Sequence, residues 1–241
     1  MSNVMVTLVV LTGFAALAGL FLYLTIRDGD RWRRKLDAAL VPIGFRPVEK
    51  TGMEPLEKRL RITHPRHAGK RLLMHLYRRP SPGGDCQVYV CDYRFSSASG
   101  KAAGAAWLPV GLVSDSLALP RLHIEGVPTL PGWAQAFHGA LAGAMEIPGA
   151  KRLMTGDEDF DRRYRIFYFG SGAAPALPPA LMTVLGDAQG GIGVDMEGDT
   201  LFLTSIEMLA DRMRQEFDPQ KLLGLVHLAA RLHESLRVSS G

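Results

Sequence analysis

The segment RLLMHLYRRPSPGGDCQVYVCDYRF (residues 71–95) decides how the folded part of this chain reads. Leu72, Met74 and Leu76 alternate with polar positions such as Arg71 and His75, the period-two signature of a strand with one buried face. PSPGGD (residues 80–85) is built from turn formers, and residues 86–95 read as a second strand rich in Val and Tyr. The two make an antiparallel hairpin with a loop longer than the two-residue minimum. Cys86 and Cys91, the chain's two cysteines, are five positions apart on that second strand. Their side chains are therefore expected on opposite faces, as buried free thiols without a disulfide, redox or metal role. Two free thiols suit a reducing compartment.

Further β patterns follow at residues 107–113, where Pro109 interrupts, and at residues 119–126 and 163–169. Residues 192–196 and 200–204 form another hairpin around Glu197, Gly198 and Asp199. Trp133, Phe137, Ala140 and Ala144 mark a helix, and residues 178–185 mark a shorter one with Pro at its start and Gly186 just beyond its end. Thr204 and Glu207 have capping-box spacing ahead of a helix carrying Leu209 and Met213. Asp218 and Pro219 open the last helix. Leu222, Leu225, Val226, Ala229, Leu232 and Leu236 fall on one side of it, and Gln220, Gly224, His227, Arg231 and Glu234 on the other. About seven strands in hairpin order, with helices toward the end, imply an α+β fold: a mainly antiparallel sheet domain with a C-terminal amphipathic helix.

Toward the N-terminus the character changes. Residues 4–26 hold 23 positions without a charge, enough to cross a bilayer as a helix. No Lys or Arg precedes them, so the segment reads as a retained transmembrane anchor and not a cleaved signal peptide. The chain divides into an anchor at 1–26, a basic juxtamembrane helix and linker at 27–50, and a soluble α+β domain at 51–241. Trp32, Leu36 and Leu40 recur every fourth residue in a short helix that Pro42 and Gly44 should end. Arg27, Arg31, Arg33, Arg34 and Lys35 follow the anchor directly. The positive-inside rule then puts the large domain in the cytoplasm of a single-pass protein of the inner (cell) membrane. With Trp32, these five residues are the expected contact with the membrane surface.

Charge layout narrows the partners. Residues 27–79 carry 15 Lys and Arg against 6 Asp and Glu, whereas residues 80–241 carry 13 against 18. The positive charge begins where the apolar run stops, which favours a bilayer with anionic head groups over nucleic acid.

No motif supplies a cofactor or a metal. His64 and His67 are separated by Pro65 and have no third ligand in register. His227 and His233 are six apart, off helical register. The Gly-rich stretches at 170–172 and 190–193 lack the endings of phosphate loops. Asp157, Glu158, Asp159 and Asp161, followed by Arg162, Arg163 and Arg165, could form a cation or phosphate site. A Phe160 plug flanked by local ion pairs at a strand entrance accounts for the same residues.

Four stretches resemble a family of bacterial single-pass membrane proteins in which an N-terminal helix precedes a soluble domain of unknown function. They are VYVCDYRF (residues 88–95) with the Gly/Ser-rich run behind it, LPRLHI (119–124), DEDFDRRYRI (157–166) and MEGDTLFL (196–203). Cys91 stands where a bulkier apolar residue is common in that pattern, and Asp161 where Asn is. The resemblance implies the architecture and supplies no activity. The expected function is a membrane-anchored cytoplasmic interaction module, an accessory subunit or scaffold for a protein or lipid partner, with no catalysis evident. The alternative is a membrane-tethered enzyme with a polar site near Asp157 to Arg165.

Overall fold

The computed structural model describes residues 29–49, 71–81, 84–95, 106–127, 149–188, 191–213 and 216–238. The chain divides into two compact units, Met1–Phe45 and Arg46–Gly241. In the first, residues 29–40 form helix α1, with Trp32, Leu36 and Leu40 buried along one stripe as their four-residue spacing requires. A single 3-10 turn, Val41–Ile43, follows, and Gly44 closes it in the left-handed region at φ 89°. The expected anchor at residues 4–26 lies outside the described residues, as do the segment 51–70 and the helix expected around Trp133. No described helix is long and apolar enough to cross a membrane.

The second unit is α+β, built on one large antiparallel sheet. Its strands are β1 (Arg46–Pro47), β2 (Arg71–Pro80), β3 (Gln87–Phe95), β4 (Ala106–Trp107), β5 (Val110–Val113), β6 (Leu119–Gly126), β7 (Ala150–Leu153), β8 (Tyr164–Phe169), β9 (Ile192–Gly198) and β10 (Thr200–Ser205). Among the described residues the order across the sheet is β1-β2-β3-β5-β10-β9-β6-β8-β7, with β4 pairing β3 beyond the end of β5. The predicted hairpins 71–95 and 192–204 are both present. The sheet has more strands than the sequence pattern suggests. β1 and β7 are too short to carry a period-two signal, and Pro109 splits the 107–113 pattern into β4 and β5. Pairing continues across that split through Cys91, whose N–H donates to the Pro109 carbonyl at 3.0 Å.

One detail of the first hairpin departs from simple alternation. The register of β2 against β3 shifts between Leu73 and His75. This bulge puts Leu73 and Leu76 on one face, with Tyr89, Cys91, Tyr93, Val113 and Phe202, in place of the expected Leu72, Met74 and Leu76. His75 and Tyr77 go to the other face, opposite Asp92 and Val90. That face runs across the sheet through Leu112, Leu201, Met196 and Leu122, all buried.

Among the described residues this unit has four helices: α2 (Glu158–Arg163), α3 (Pro179–Asp187), α4 (Ile206–Met213) and α5 (Pro219–Val238). Helix α5 packs on β5, β10 and α3. Its predicted apolar stripe is buried throughout, and its predicted polar side is exposed. Asp218 caps it as expected, accepting from the Gln220 N–H at 2.9 Å. Helix α4 starts one residue later than the Thr204 spacing implies. Ser205 is the residue whose hydroxyl accepts from the Met208 N–H. At the far end of β6, Gly126 is needed for close approach: a Cβ there would lie 2.5 Å from the Ile192 carbonyl oxygen.

Candidate functional site

Helices α3, α4 and α5 and the start of β9 enclose a groove of about 340 Å³. Its floor is apolar, from Ile192, Leu225 and Leu228, and Glu207, Lys221 and Arg231 stand along its sides. Lys221, Gly224, Leu228 and Arg231 follow one another at three- and four-residue steps, so one stripe of α5 forms a continuous wall. Each cation on that wall has a carboxylate partner. Lys221 bonds Asp211 at 2.7 Å and lies 3.5 Å from Glu207, and Arg231 reaches Asp187 at 3.0 Å. The hydrogen bond to Asp211 holds the Lys221 ammonium above its usual pKa, so it stays charged. The rim is therefore polar and close to neutral, and the floor is greasy.

Gly224 opens this wall. It lies in the helix interior, where glycine costs about 1 kcal/mol relative to alanine. A Cβ placed on it would meet nothing within 4 Å, so neither close packing nor a turn explains the glycine. What it does is keep side-chain bulk out of the groove.

A second concentration of chemistry lies at the β2–β3 turn. Ser81 Oγ donates to Asp85 at 2.7 Å, and Arg237, near the end of α5, pairs with the same carboxylate. Ser114, just after β5, donates its hydroxyl proton to the Asp85 carbonyl at 3.1 Å. Ser114 Oγ also lies 2.9 Å from His233 Nε2 and 2.8 Å from the Ser116 hydroxyl. Burial holds the His233 pKa below its usual value, so the ring is neutral near pH 7. Burial likewise raises the Cys86 thiol, and the Ser81 hydrogen bond lowers the Asp85 carboxyl. One oxygen of Asp85, the Cys86 sulfur and a ring nitrogen of His233 all lie within 4.8 Å of one another.

Two more histidines face carboxylates across strands. His123 on β6 bonds Asp195 on β9 at 2.6 Å, both buried, with Phe167 stacked 6.0 Å from the imidazole. His75 bonds Asp92 at 3.1 Å. Both pairs are register partners in neighbouring strands and tie those strands together.

Residues 157–165, expected as a plugged strand entrance, include a short helix. Asp157 is the N-cap of α2, its carboxylate accepting from the Asp159 and Phe160 N–H groups at 3.0 Å each. Asp161 accepts from the Thr155 hydroxyl at 3.0 Å, and Arg162 pairs with Asp159. Arg163 donates to the Gly186 carbonyl at 2.7 Å, at the C-terminal end of α3. Phe160 is buried and stacks on Tyr164 with ring centres 4.8 Å apart. These carboxylates and arginines fasten the entrance of β8, and they do not converge on one point.

The expected membrane-surface residues are split. Arg31, Arg33 and Arg34 are exposed on α1, Lys35 is half-buried, and Trp32 is only 5% exposed. Arg27 lies outside the described residues. The Asp85, Cys86, Ser114 and His233 cluster has almost no signature in sequence, because its hydrogen-bonded pairs are up to 119 residues apart. The one available signal was His233 itself, a histidine on the apolar side of an otherwise aliphatic helix stripe. Compared with known proteins, the chain matches no protein-family model, no curated protein and no solved structure.

Proposed function

We propose that this chain is a membrane-tethered binding module. Residues 4–26 anchor it in the cell membrane, in keeping with the family resemblance, and the α+β domain works at the cytoplasmic face. The observation that carries the reading is the groove beside α5, held open by a glycine that neither packing nor backbone geometry requires. A groove of this size receives roughly one or two large side chains from a protein partner, which would seat on Ile192, Leu225 and Leu228. The paired rim of Lys221, Glu207, Arg231 and Asp187 offers that partner hydrogen bonds without a strong field of either sign.

The exposed arginines of α1 support the lipid-facing part of the reading. With Asp28 and Asp30 set against five basic residues, the net attraction to an anionic surface is at most ~3 kcal/mol. That is too little to anchor a protein and enough to bias how a tethered domain rests.

The test is site-directed photo-crosslinking of the full chain in native membranes, with the photoreactive residue at the exposed His227. Discrete protein adducts are expected, and Gly224→Phe should abolish them by filling the groove. Adducts that survive Gly224→Phe unchanged, or their complete absence from a folded chain, would count against the groove as the binding site.

A further inference from the structure

We infer that Asp85, Cys86 and His233 form a binding site for a late first-row divalent cation of the zinc class, fastening the C-terminal helix to the β2–β3 turn. The inference goes beyond the groove and does not depend on it. Thiolate, imidazole and carboxylate are the three side-chain donors that zinc takes, and they meet here from two elements. In a tetrahedral zinc site neighbouring ligand atoms are roughly 3.3–3.7 Å apart, as bond lengths of about 2.0–2.3 Å require. The present separations, up to 4.8 Å, call for a contraction of about 1 Å. Asp85 is exposed on a turn and can supply that movement by a small swing of its side chain.

The surroundings suit a metal ligand set in three further respects. Ser114 Oγ, 2.9 Å from Nε2 of the imidazole and bonded to the Asp85 carbonyl, fixes how the ring is oriented in the cluster. Ser81 and Arg237 bond the Asp85 carboxylate and still leave it lone pairs for an ion. The cluster is also self-limiting in charge: one thiolate and one carboxylate neutralise a divalent ion. Three protein ligands leave a fourth position for water on the solvent side, where Asp85 lies.

Binding one cation forms a metal–sulfur bond at Cys86 in place of its S–H bond, and the proton passes to solvent. Cys91 provides an internal control. It is buried among Tyr89, Tyr93 and Phe202, and its pKa is strongly raised by burial.

The experiment is a cobalt(II) titration of the purified full chain in detergent, after chelator treatment and under reducing conditions. One equivalent should give a thiolate-to-cobalt charge-transfer band in the near ultraviolet, lost again on displacement by zinc. Cys86→Ser should remove the band, Cys91→Ser should keep it, and Asp85→Asn or His233→Gln should weaken binding at least tenfold. Circular dichroism of each variant establishes that it is folded. A folded wild-type chain with no charge-transfer band, or a band that persists in Cys86→Ser, overturns the assignment.

Discussion

Residues 157–165 put four carboxylates and three arginines into nine consecutive positions, whereas the groups around Asp85 are gathered from Ser81 to Arg237. The dense segment uses its charges nearby. Asp157 caps its own helix, Asp161 holds Thr155, Arg162 pairs with Asp159, and among the described residues only Arg163 reaches another element. The dispersed cluster does the opposite: apart from Ser81 and Asp85, which share one turn, its groups depend on the fold to bring their partners. Charges adjacent in sequence can satisfy one another at little entropic cost, so they tend to be consumed by local structure. Groups that meet only after folding are placed by the whole core, and burial changes their chemistry.

If that contrast holds, the largest effect of disturbing the dense segment should be on stability alone. Phe160→Ala removes a buried ring that stacks on Tyr164 and should cost about 3–5 kcal/mol in chemical unfolding. The cobalt spectrum and the crosslinks from His227 should not change. A shift in either would show that the two regions are coupled and the contrast false.

Ser114→Ala should come next, at about 1–3 kcal/mol, because it strips a buried imidazole of its hydrogen-bond partner. Acid should reveal the same dependence. Burial holds the folded-state pKa of His233 below its ordinary 6.5, so under acid the unfolded chain takes up the proton first. The stabilisation is complete above 6.5 and is lost as pH falls from there through the folded-state value. Unfolding midpoints measured across this range should drop less for His233→Gln than for the parent chain. Equal slopes would remove His233 from the account.

What was legible in the sequence follows the same division. The hairpins, the Pro109 break and the two sides of α5 are patterns in consecutive residues, and each is present. The β2 bulge was not legible, since the pattern of Leu72, Met74 and Leu76 is consistent with plain alternation and only pairing with β3 reveals the shift. Helix α2 was hidden because six residues are too few for a helical period. The candidate sites were hidden for a different reason. The groove needs three helices placed together, and the Asp85 cluster needs β2–β3, β5 and α5 to converge. By contrast the acidic–basic run at 157–165 was conspicuous in sequence and proves to be joinery.

Two smaller effects sharpen the contrast. Asp157→Ala should cost about 1 kcal/mol through the lost cap, and Asp157→Asn, which keeps an acceptor, should restore most of it. A cation site at this segment would instead make the two variants equivalent in any metal-dependent reading, since neither keeps the charge.

The smallest expected effect has the opposite sign. Gly224→Ala should stabilise the chain by about 0.5–1 kcal/mol, because alanine loses less backbone entropy in a helix and its methyl group meets nothing within 4 Å. Gly224 lies on the same helix as His233, nine positions earlier, and on its exposed side. A helix serving only to hold the Asp85 cluster would gain from the methyl and lose nothing. If the groove receives a partner side chain over Gly224, the same methyl narrows the seat, and the crosslinking yield from His227 should fall as the midpoint of unfolding rises. The cobalt titration should be indifferent to the change, because the metal ligands lie elsewhere on the fold. A stabilised Gly224→Ala chain with undiminished crosslinking would mean that the glycine does not serve the groove, and α5 would then answer only to the core and to the cluster at its end.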